Sequence, residues 1–296
     1  MYRLMSRGDR REMIFLDDPD RQSFLEALGQ ASAKTGWQVH AYVLTGNHFH
    51  LVVETPQANL SVGMKWVLGT FTQRWNRRRK AWGHLFGGRY KAQSIDERLP
   101  PYLRTACDYV HLNPVRAGLV EREEGLETYV WSSYPAYLQP GLRPAWLRTD
   151  RLLGEHGLDE KRRGARKEFA RRMHTQRDEA PHGGETVFPR GWRLGGEDFV
   201  EWLSVKLARR GRPSERAGER RETDERLAER LVAEGLKAAG WREGNLPMTP
   251  KGHPVKVQLA RDLRTHTPMT RSWIARRLHM GSASYLSSLL SVNSKN

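Results

Sequence analysis

The chain has 296 residues, enough for a substantial core and for more than one domain. Its 50 lysines and arginines against 34 acidic residues give a formal charge of +16, which suits a polyanionic partner but also a ribosomal or membrane-surface protein. A single cysteine, Cys107, excludes an internal disulfide, no apolar run is long enough to span a bilayer, and the N-terminus lacks a signal-peptide core, so a reducing cytoplasm is expected.

In chain order, residues 2–6 read as a strand and the polar residues 7–11 as a loop. Residues 15–35 carry Phe24, Leu25, Leu28 and Ala31 at helical spacing, with Asp17, Asp18 and Asp20 near the start and Gly36 as the stop. Residues 37–44 and 49–54 form two strands around a Thr-Gly-Asn turn. Residues 60–78 place Met64, Val67, Leu68, Phe71 and Trp75 on one face of a long amphipathic helix, and residues 89–95 form a further strand. Strand, helix, two strands, helix, strand is the ferredoxin-like order. It predicts an α+β domain, an antiparallel sheet with both helices on one face, over residues 1–140. Pro100 and Pro101 then start a helix that Pro114 disfavours beyond Asn113.

Two motifs carry chemistry. His48-Phe49-His50 alternates polar and apolar residues, so a strand shows both imidazoles on one face, where two neutral rings can hold a divalent metal. Alone, His-x-His more often describes two half-buried strand histidines. On the next helix, Tyr109 and Asn113 stand four apart and share a face. A phenol beside a metal-binding amide, set against His-x-His, fits nucleophilic attack on a metal-polarised phosphodiester. Tyr102 lies seven residues earlier without such a partner and is assigned to packing.

Further motifs extend this pattern: Glu54-Thr-Pro-Gln-Ala-Asn-Leu60, Thr72-Gln-Arg-Trp-Asn-Arg-Arg78, Gly83-His-Leu-Phe-Gly-Gly-Arg-Tyr-Lys91 and Tyr109-Val-His-Leu-Asn-Pro-Val-Arg-Ala-Gly118. Together with His-x-His they resemble the REP-associated tyrosine transposases, single-tyrosine HUH enzymes that act on single-stranded DNA. The resemblance runs through Trp131-Ser-Ser-Tyr134. It implies a metal, Mg or Mn, held by His48, His50 and the amide of Asn113, and a 5′-phosphotyrosine link on Tyr109. Relatives carry residues ahead of the stretch matching residues 2–8, so an incomplete sheet edge is expected here.

The basic run Arg74-Trp-Asn-Arg-Arg-Arg-Lys80 ends the long helix with more cations than a helix dipole needs. Arg74, Arg77, Arg78, Arg79 and Lys80 are therefore read as contacts to DNA phosphates, with His84, Arg89 and Lys91 continuing the set. Trp75 completes the apolar stripe and is assigned to the core. His40 and His111 read as satisfied histidines, and Cys107 has no role. Beyond residue 140, residues 141–230 are dense in charge and read as solvated helices or linkers, with a loop at Pro181-His-Gly-Gly184. Residues 231–296 end in a capped helix over 270–278, a turn, and a second helix over 283–290. This is a helix-turn-helix-like hairpin with Ser284, Tyr285 and Ser287 outward, although any small helical hairpin shows the same pattern. Three functions fit: a transposase cutting single-stranded DNA at hairpin-associated sites, a DNA-binding regulator without cleavage, and a metal hydrolase without a covalent tyrosine. The last lacks a carboxylate base close to His-x-His, since Glu54 lies four residues on.

Overall fold

The computed structural model describes residues 1–98, 100–121, 123–179, 193–195, 198–199 and 213–292. The chain divides into two compact units, Met1–Ser32 with Gly36–Lys206, and Leu207–Asn296 with Ala33–Thr35.

In the first unit the strands are β1 (Tyr2–Arg7), β2 (Gln38–Leu44), β3 (His48–Glu54) and β4 (Lys91–Ile95), in the order β2-β3-β1-β4. A two-residue strand, β5 (Arg193–Leu194), adds parallel to β4. The strand that opens the chain lies inside the sheet, paired with β3 on one side and β4 on the other. The expected incomplete edge is therefore not found at this strand. Helix α1 (Asp18–Thr35) starts where Asp17 accepts a bond from the Asp20 amide at 3.0 Å and ends on left-handed Gly36. Helix α2 is Leu60–Arg79.

The sheet is covered on both faces. Phe49 of β3 meets Phe24 of α1 at 4.6 Å between ring centroids, and Phe24 meets Phe71 of α2 at 5.3 Å. This is the face the two helices were expected to cover. The alternate residues of β3 turn to the other face, where helix α3 (Pro100–His111) packs through its buried stripe of Leu103, Ala106, Cys107 and Val110. The helix breaks at Leu112 and resumes as α4 (Asn113–Arg116). Pro114 interrupts the ladder because it lacks an N–H, yet suits the first turn of the next helix, so it makes a break rather than the predicted stop.

The first core does not close at residue 140. The segment after α4 runs along the outer edge of β2, where Val43 bridges Ser132 and the Leu44 amide donates to Trp131 O at 2.9 Å. Tyr129 Oη donates to Leu44 O, and Tyr137 Oη of α5 (Tyr134–Leu138) donates to His40 O, both at 2.6 Å. Helices α6 (Asp150–Glu155) and α7 (Ala165–Glu179) bring Leu152, Leu153, Phe169 and Met173 into the same core. The boundary read at residue 140 thus falls inside the first unit. The reason is physical: four buried apolar side chains anchor a stretch whose average composition is polar. The segment Pro181–Gly184 lies outside the described residues.

The second unit is helical: α8 (Pro213–Ala238), α9 (Asn245–Met248), α10 (Pro254–His266), α11 (Arg271–Arg277) and α12 (Ala283–Val292). Its core joins Val232, Leu236, Leu259, Leu263, Ile274, Leu278, Met280 and Leu286. The predicted terminal hairpin is present as α11 and α12. Thr270 caps α11 by accepting from the Trp273 amide at 3.2 Å, and His279 and Gly281 turn the chain at positive φ. Among the described residues no helix is long and apolar enough to cross a membrane.

Candidate active site

A tight turn fixes the first histidine. The Thr45 amide donates to His48 O at 2.9 Å, and the Thr45 hydroxyl donates to the same carbonyl, also at 2.9 Å. That leaves the hydroxyl oxygen, 2.9 Å from His48 Nδ1, and Asn47 Oδ1, 2.7 Å from it, as acceptors. These two acceptors favour the tautomer with the proton on Nδ1, the one that metal-binding imidazoles adopt. The His50 ring lies 5.0 Å away, nearly perpendicular. His50 is buried, and burial, then the charges of Arg3 and Arg7 and the neighbouring His48 ring, hold its pKa well below the usual histidine value. It is a neutral imidazole.

Tyr109 joins this pair. Its ring stands edge-on to His50, with centroids 5.8 Å apart. Two guanidinium groups lie against the same ring, Arg3 Cζ at 4.5 Å from its centroid and Arg116 Cζ at 4.9 Å. Arg3 Nη2 also faces His50 Nδ1 at 3.4 Å. Burial lowers the pKa of both arginines, and Tyr109 opposes that shift in each. Asn113 lies one turn beyond Tyr109, and its Oδ1 is buried without a hydrogen-bond partner. The His48 and His50 imidazoles and the orphaned Asn113 amide oxygen are donors of the kinds a divalent cation accepts. Among the described residues no group of three His, Cys, Asp or Glu side chains gathers for a metal.

The predicted phosphate contacts behave differently. Arg78 and Arg79 reach back to the start of α1, where they bond Asp17 and the almost fully buried Asp20 at 2.6–2.8 Å. Arg74 donates to Ser23 O and Glu26, both at 3.4 Å. These three arginines tie α2 to α1, while Arg77, Lys80, His84, Arg89 and Lys91 are exposed. Trp75 and Tyr102 pack against the core as read. Buried His40 bonds Glu54 at 3.3 Å, and Arg151 bonds the same carboxylate at 2.7 Å, so Glu54 is occupied. Cys107 is buried, which pushes its thiol pKa well up.

Arg3 and Arg116 escaped the sequence reading. The available signal for Arg3 was alternation. On β1, Arg3, Met5 and Arg7 take one face and Leu4 and Ser6 the other, and Met5 pairs with His50. Arg116 falls within Asn113-Pro-Val-Arg116, one further turn along from Asn113.

The tyrosine helix has its own anchors. Asp108, next to Tyr109, accepts from Gln176 Nε2 at 3.1 Å and pairs with His156 Nε2 at 3.0 Å. His111 Nε2 lies 2.9 Å from Ser133 Oγ, and its ring packs on Tyr137 at 5.0 Å. Burial depresses His111 to a pKa of about 4, the neighbouring Asp108 acting against that shift.

Comparison with known proteins finds a family likeness over the first part of the chain. Residues 1–113 match the family described as IS200-like transposases. Among solved structures, a REP-associated tyrosine transposase bound to a REP hairpin is 18% identical, with a TM-score of 0.40. That match covers 51% of this chain and 86% of the other. A candidate transposase from Deinococcus radiodurans R1 is also 18% identical, with a TM-score of 0.28, covering 35% of this chain and 85% of the other. No curated protein matches.

Proposed function

From the match of residues 1–113 to the family described as IS200-like transposases, we propose that the protein cuts and rejoins single-stranded DNA with Tyr109 as nucleophile. The observation that carries this reading is the Tyr109 ring standing 5.8 Å from His50, beside the His48–His50 pair. The phenolic oxygen attacks the scissile phosphorus, the Oη–P bond forms and the P–O3′ bond breaks. The departing electron pair stays on the 3′ oxygen, which takes up a proton, and the phenolic proton passes to solvent. The product is a 5′-phosphotyrosine, from which a 3′ hydroxyl releases the enzyme by the reverse step. A divalent ion, Mg or Mn, held by His48, His50 and the Asn113 amide would supply charge neutralisation at the phosphate. The motif resemblance adds hairpin-associated, REP-like single strands as the substrate, and a DNA substrate places the work at the nucleoid in the cytoplasm.

A second reading, a DNA-binding regulator without cleavage, draws on the α11–α12 hairpin, where Ser284 and Tyr285 are exposed and Ser287 is half-buried. One experiment separates the two. The protein is incubated with single-stranded DNA from the flanks of its own gene and a divalent ion, and a denaturation-resistant protein–DNA adduct is sought. Tyr109→Phe should abolish the adduct and leave DNA binding nearly intact. Chelation, His48→Ala or His50→Ala should also abolish it, and Asn113→Ala should reduce it less. An adduct from the Phe variant would refute Tyr109, and tight binding without an adduct at any metal would favour the regulator.

A further inference from the structure

We propose that Arg116 binds a non-bridging oxygen of the phosphodiester that Tyr109 attacks. This rests on the transposase reading and adds to it a residue that touches the substrate.

Arg116 Nε and Nη1 are buried and have no hydrogen-bond partner, although the guanidinium lies against the Tyr109 ring. A guanidinium stays charged at any ordinary pH, and leaving its donors buried and unmatched is costly. The carboxylate of Asp108 does not meet this need. Asp108 influences Arg116 through space, but its two carboxylate oxygens are already bonded, one by His156 and the other by Gln176. What would fit is an external anion with oxygen acceptors, placed beside Tyr109.

The neighbouring residue three positions back sharpens the identity of that anion. Asn113 Oδ1 is buried and unmatched as well, and Asn113 and Arg116 share α4 one turn apart. One unsatisfied acceptor calls for a cation and two unsatisfied donors call for an anion. A phosphodiester with its divalent counter-ion supplies both together, whereas a carboxylate or a free metal supplies only one. In the attack, negative charge grows on the non-bridging oxygens, and a donor already aimed there needs no rearrangement.

The test uses the full-length protein with Arg116→Gln and Arg116→Lys, and two readouts. In a Tyr109→Phe background, affinity for a single-stranded oligonucleotide is measured across salt concentrations. Arg116→Gln should make the slope of log K against log salt shallower by about 0.7, the share of one lost phosphate contact, while Arg116→Lys keeps the slope. With Tyr109 present, single-turnover adduct formation should fall about 100-fold for Gln, with partial recovery for Lys. A residue that only packs would lower the melting temperature and leave the salt slope unchanged. If the parent forms the adduct and neither slope nor rate moves, Arg116 has no such role. If the parent forms no adduct but the slope falls, the phosphate contact stands and the nuclease reading fails. Should Gln fail to fold, Lys decides through the rate, and full speed there overturns the requirement for the guanidinium fork.

Discussion

Up to Arg116 the first unit supplies the groups against the Tyr109 ring, His50, Arg3 and Arg116, together with His48 beside His50 and Asn113 one turn further along. From Leu126 to Met173 it grips the far side of α3 and the edge of β2, through Ser133, Tyr137, His156 and Phe169. The residues that match the transposase family end at 113, inside this arrangement. The difference teaches that a tyrosine on a helix is placed from two sides. The sheet gives it neighbours, and the later segment sets its rotation and depth.

The harshest way to break that comparison is to remove the second contributor. A fragment ending at residue 140 loses Leu147, Leu152, Leu153, Phe169 and Met173 from the core, and it strips Asp108 of both partners. It should show no cooperative thermal transition by circular dichroism, whereas a fragment ending at residue 206 should melt cooperatively. A sharp transition in the shorter fragment would mean that the first contributor folds alone.

Acid probes the same contact more gently. The folded pKa of His111 is depressed to about 4, so the unfolded chain takes up the proton first as pH falls below its ordinary value of about 6.5. The stabilisation is complete above that value and is lost as pH drops towards 4, by about 2–3 kcal/mol for a shift of this size. Urea unfolding from pH 7 to 4 should show this decline, and His111→Phe should flatten it. An unchanged curve in the variant would assign the acid sensitivity to other groups.

The smallest expected effect comes from one anchor alone. His156→Ala leaves Asp108 with Gln176 as its partner and should cost about 2 kcal/mol at neutral pH, read as a lower urea midpoint. Adduct formation should slow under conditions where the variant is fully folded, because Tyr109 is the next residue. A normal rate in the folded variant would confine His156 to stability.

What was legible in the sequence was local. His48 and His50 follow from a two-residue strand period, Tyr109 and Asn113 from a helical turn, and the strand order from apolar periodicity. Pairings between distant residues were not. The crowd of arginines at the end of α2 reads as a phosphate grip, yet Arg78 and Arg79 meet Asp17 and Asp20, about sixty positions earlier. A sequence displays how many cations a segment holds and hides which acids they will meet. Arg3 needed the register of β1 against β3 before its direction could be read. Phe169 and Met173 sit among so many charged neighbours that their stretch looks solvated, although each is fully buried.

The anchoring of Asp108 also sets an order in time. Its partners lie 48 and 68 residues further along the chain. A ribosome adding about 5–20 residues per second needs roughly 3–14 seconds to reach the second of them. During that interval the tyrosine helix has emerged ahead of the side chains that hold it. Tyr109 is made early, and it is set in place only when α7 arrives.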